Sequence, residues 1–151
     1  MKVYSALILT LILGITAVRA DAPEQLTYCT EAQQATMVSL LNSADFNRYL
    51  NAYQSMLSAR STLSGKAILT ITDAELSTVR DFQMYWWNGV FDAMPACYES
   101  IQFSVALGRG LDEQYIGFLL VRAGDYDSAA PHLQAGRELL ARIPAILSAS
   151  H

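Results

Sequence analysis

The sequence predicts an all-α protein, an antiparallel bundle of four to five helices clamped by one disulfide. Three observations predict it. Thr30-Glu-Ala-Gln33 and Thr72-Asp-Ala-Glu75 are capping boxes, in which a threonine oxygen and a Gln or Glu side chain satisfy the orphan amides of a helix start. Apolar residues recur at three- and four-residue spacing over most of the chain. Two cysteines alone, Cys29 and Cys97, stand in 151 residues, behind an N-terminus that reads as an export signal.

Residues 1–20 carry that signal. Lys2 gives a positive start, Leu7 to Leu13 is the apolar centre, and Val18-Arg19-Ala20 places short side chains where a signal peptidase reads. The apolar run from Val3 to Val18 falls short of the ~20 residues a spanning helix needs. Cleavage, export and no stable membrane insertion are expected; Arg19 beside the cleavage point makes a retained anchor the alternative. Residues 21–29 form a short polar lead, and 30–148 a single helical-bundle domain.

The helix opened at Thr30 presents Ala35, Val38 and Leu41 on one face and weakens at Asn42-Ser43. Asp45 is placed to cap a second segment, with Phe46, Tyr49, Leu50, Tyr53, Met56 and Leu57 at helical spacing, which Ser64-Gly65 ends. Ala67 to Ile71 is β-prone but short and isolated, and reads as an extended connection pinned by its apolar side chains. Thr72 opens a helix through Leu76, Val79, Phe82, Trp86, Val90 and Phe91, which Pro95 stops.

From Ala96 to Ala123 the pattern is helical, with Cys97 in its first turn and Ile101, Val105, Leu111, Tyr115, Phe118 and Leu119 inward. Gly108 and Gly110 in its middle predict a kink or a close crossing. Gly124 to Asp127 is a turn. The last helix runs to about Ser148, with Leu133, Gly136, Leu140, Ile143 and Leu147 inward, Pro131 in its first turn and Pro144 bending its end.

Composition narrows the function. Removing Lys2 and Arg19 from ten basic residues leaves eight against fourteen acidic ones, a net charge of −6. Such a chain has no electrostatic footprint for nucleic acid, and no nucleic-acid partner is expected. A Cys29–Cys97 bridge closes about 69 residues, which the chain-entropy account values near ~4 kcal/mol. Neither C-x-x-C nor C-x-x-C-H spacing occurs. His132 and His151 are the whole histidine supply, with no nucleophile motif beside them, so no catalytic residue and no metal site are assigned. Asp112-Glu113 and Asp125/Asp127 read as caps and turns.

Tyr85, Trp86, Trp87 and Phe91 form the densest aromatic patch. Consecutive helical residues project about 100° apart, so the three in a row cannot all face one core, and the patch is the candidate partner-binding surface.

The segment from Leu111 to Arg142 resembles one tetratricopeptide helix pair. Ile116-Gly117 stands at that motif's Leu-Gly, Gly124-Asp125-Tyr126 at its turn, Ala129 at the small residue of its second helix, and Leu133 and Gly136 at its later packing positions. The resemblance implies a close helical hairpin and an interaction role; no second copy lies about 34 residues upstream. The functional expectation is an exported non-catalytic domain binding a protein, peptide or apolar small molecule, with no cofactor. The alternatives are a haem-type four-helix bundle using Met37 and His132, and a structural envelope protein.

Overall fold

The computed structural model describes residues 26–63 and 66–149, with the backbone alone for 60–63 and 66–68. The export signal, the first part of the polar lead and the Ser64-Gly65 helix stop lie outside the described residues.

Thr30 opens α1 (Glu31–Leu41) with the expected capping box, its hydroxyl accepting from the Gln33 amide and Gln33 reaching back. Ser43, rather than Asp45, caps α2 (Ala44–Ser58), because its hydroxyl sits three residues before the Phe46 amide that it accepts from. The helix ends six residues before Ser64. Arg60-Ser-Thr-Leu63 is poor helix sequence, since Ser and Thr compete for backbone hydrogen bonds. It forms β1 (Arg60–Leu63), antiparallel to β2 (Lys66–Leu69), with Arg60 opposite Leu69 and Leu63 opposite Lys66. The expectation of an unpaired connection is corrected to a two-stranded hairpin appended to an all-α body. Leu69 and Ile71 still pin it to the core.

The second capping box starts α3 (Asp73–Tyr85). Glu75 is bound there by the Ser55 hydroxyl at 2.6 Å and by the Thr72 amide and hydroxyl, which together hold its carboxyl below the usual value. The helix widens into a π-helical turn over Trp86–Val90, tightens over Phe91–Ala93, and stops before Pro95.

α4 (Tyr98–Ala123) is one unbroken helix of 26 residues, capped by Cys97 rather than including it. Gly124 leaves it at φ 83°, the left-handed geometry that glycine reaches cheaply. α5 (Tyr126–Leu140) returns antiparallel, and this pair is the most extensive packing among the described elements. Pro131 lies inside α5, beyond the first turn, because the helix starts at Tyr126. The last helix does not run on to Ser148 but breaks at 141–142 and restarts as α6 (Ile143–Ser148), where Pro144 occupies a position that needs no amide.

The core is aromatic. Tyr49 stacks on Phe82 at 5.1 Å, Phe46 meets Phe82 edge-on at 5.5 Å, and Tyr53 meets Phe118 at 5.9 Å. Trp86, Phe103, Met37, Met56, Leu107 and Leu111 are fully buried around them. Two helices present other faces than expected. α1 buries Met37 and Leu40 and exposes Val38 and Ala35; α4 buries Phe103, Ala106, Leu107 and Gln114 and exposes Ile101, Val105 and Leu119. Both carry apolar residues on more than one face, so spacing alone does not choose among them.

Cys29 and Cys97 are bonded, with Cα atoms 5.0 Å apart. The Tyr98 amide donates to the Thr27 carbonyl, the Cys29 amide donates to Glu99 Oε2 at 2.7 Å, and Tyr28 meets Tyr98 edge-on. The start of the described chain is thereby sewn to the N-terminus of α4.

Candidate functional site

The end of α3 and the π-turn after it build an aromatic ledge across α4. Two adjacent tryptophans at a helix end must point apart, and the wider π-turn allows one to go in and one out. Trp86 goes in: it is fully buried, edge-on to Phe91 and Phe103. The expectation that it belongs to an exposed surface is corrected; it is a core residue. Trp87, Phe91 and Tyr85 point out, 37%, 40% and 47% exposed, with Met84 beside them.

Trp87 is exposed but held in place. Its indole Nε1 donates to Asp112 Oδ1 at 2.9 Å, the same oxygen that accepts from the Gln83 amide at 2.7 Å. Its ring lies 5.1 Å from Phe91 and 6.4 Å from Trp86, centroid to centroid. Gly108 makes the crossing possible: a Cβ there would fall 2.8 Å from Trp86 Nε1 and from Trp87 Cζ2. Of the two outcomes predicted for the mid-helix glycines, the structure shows the close crossing. Gln83, Asp112 and Gly108 complete the ledge. Sequence pattern missed the first two as its supports, because their role depends on α3 crossing α4.

Beside Tyr85, between α2 and α3, lies a small polar cleft of 230 Å³ over Phe82, with Asp45, Arg48, Thr78 and Asp81 around it. Asp45 and Arg48 pair within it at 3.4 Å.

The other chemistry-bearing residues are dispersed. Asp112 and Glu113 part company: Asp112 holds Trp87, and Glu113 Oε2 lies 2.6 Å from His132 Nδ1 on α5. Met37 is packed in the core. Asp125 caps α5 by accepting from Ser128, which lowers its carboxyl pKa, and Asp127 follows in the first turn. Among the described residues, the one grouping of possible metal donors is Cys29, Cys97 and Glu99, within 4.8 Å of one another. With the two sulfurs bonded to each other, no thiolate is offered there.

The 111–142 segment does form a tight antiparallel hairpin. Added Cβ atoms at Gly117 and Gly136 would lie 2.6 Å from Leu133 and 2.8 Å from Gln114. Among the described residues no helix is long and apolar enough to cross a membrane. No family model, curated protein or solved structure matches this chain.

Proposed function

We propose that this chain is an exported, non-catalytic binding domain that holds a protein or peptide partner against the ledge of Tyr85, Trp87 and Phe91. One observation carries the reading: Trp87 is open to solvent yet fixed by Asp112 and Phe91. An exposed indole that is already ordered loses little rotamer freedom on binding and brings a large apolar face with it, the combination that interface anchors share. The disulfide supports an oxidising destination. The engagement of Asp112, Glu113, His132 and Asp125 in local structural bonds supports a non-catalytic role.

The test is capture from the native host's envelope fraction with the wild-type chain and with Trp87→Ala/Phe91→Ala, both checked for folding by circular dichroism. A true partner is retained by the wild type, lost from the variant, and, once purified, binds the variant at least about tenfold more weakly. An identical set of retained proteins from both chains overturns the reading.

A further inference from the structure

α4 and the α5–α6 break line an open groove of 680 Å³ that shares no lining residue with the aromatic ledge. Val105, Leu139 and Ile146 form its apolar walls, and Ala106 and Ala145 leave a slot between them. Ile101, one turn before Val105 on α4, extends the apolar strip; the two are 44% and 48% exposed. Their spacing marks them for burial, and nothing among the described residues covers them.

The groove has one charged lining residue, Arg142, with the Gln102 amide as its other hydrogen-bonding side chain. Arg142 forms no ion pair among the described residues, so its guanidinium is available to a ligand. In a chain of net charge −4, the Arg142 guanidinium is the one charge that the lining of this apolar slot offers, and it favours an anion. Its planar fork matches a carboxylate with two parallel hydrogen bonds. An apolar slot with one carboxylate-binding group calls for an amphipathic acid, and the volume lies within the ~300–1,000 Å³ of small-molecule sites.

We propose that this groove binds a free long-chain fatty acid, its chain between Val105, Leu139 and Ile146 over the alanines, its carboxylate on Arg142. The site is separate from the aromatic ledge and stands without it. Binding is reversible association, with no bond made or broken.

The test uses the full chain, purified as its host leaves it and stripped of lipid. It is titrated with cis-parinaric acid, a fluorescent polyene fatty acid, followed by displacement with palmitate or hexadecanol. Saturable binding at one site is expected, with palmitate displacing the probe at roughly tenfold lower concentration than the alcohol, the worth of a charge-assisted hydrogen bond. Arg142→Gln should bring palmitate down to the alcohol's level and leave the alcohol unchanged. Val105→Glu, at an exposed position that tolerates a charge, should weaken both ligands at least about tenfold by placing a carboxylate against the chain.

No saturable signal from folded wild type overturns the proposal. So does equal displacement by acid and alcohol, or equal binding by wild type and Val105→Glu. A concentration-dependent dimer in sedimentation that Val105→Glu dissociates would assign the groove to a second copy of the chain instead.

Discussion

Tyr49 takes a phenol into the centre of the core, where its hydroxyl has no hydrogen-bond partner among the described residues. Burial pushes its pKa up, with the neighbouring Tyr53 adding to the effect, so the folded state keeps the proton when the unfolded chain would lose it. Below the ordinary tyrosine value near ~10 this has no effect on stability; above it the unfolded state ionises alone, and stability falls as pH rises. Tyr49→Phe should therefore raise stability at neutral pH by about 1 kcal/mol, by removing an unsatisfied polar group, and should flatten the alkaline decline. Tyr53, also raised by burial, keeps part of that decline. Urea unfolding at neutral pH and above pH ~10 measures both effects; a variant less stable than wild type at neutral pH sinks the account. Sequence spacing placed Tyr49 inward, but the state of its hydroxyl depends on how other helices, α3 among them, pack over it.

The elements are joined by contacts that glycines permit, most tightly between α4 and α5. Ala at position 117 would press its methyl to 2.6 Å from Leu133 and 3.2 Å from that residue's backbone nitrogen. Ala at position 89, in the π-turn, meets nothing within 4 Å and keeps an ordinary backbone geometry. Gly117→Ala should cost about 1–3 kcal/mol through overpacking. Gly89→Ala should be neutral or stabilising by up to ~1 kcal/mol, since it lowers unfolded-state freedom. Thermal melts of the two variants test the ordering, and the reverse order would rule out this packing of α4 on α5. Small residues at 117, 129 and 136 were readable as a close hairpin from the chain itself. The β1–β2 hairpin was not, because four-residue strands carry too little pattern to outweigh a neighbouring helix.

For the whole molecule, the Cys29–Cys97 bond ties the lead to α4 across a separation of 68 residues, with Glu99 and Thr27 reinforcing the same junction. Replacing both cysteines with alanine should lower stability by about 4 kcal/mol on the chain-entropy account, while the spectrum of the folded state stays helical. Guanidinium titration of the double variant checks it, and a loss below ~1 kcal/mol would mean that the junction is held without the bond. Of the candidate ledge, the aromatic patch was legible, and so was the need for one of its members to face outward. Which ones do so was not, and Trp86 belongs inside.

By itself the sequence determined the helical class, both capping boxes, the pairing of its two cysteines and the turn at Gly124. Each follows from local chemistry within a few residues or, for the cysteines, from there being only two. Tertiary structure alone decided which face of α1 and α4 is buried, that Trp87 rests on Asp112 across Gly108, and that Arg142 borders an uncovered apolar groove. Those depend on where other helices cross. A helix with apolar residues on several faces does not itself say which of them a neighbour will cover.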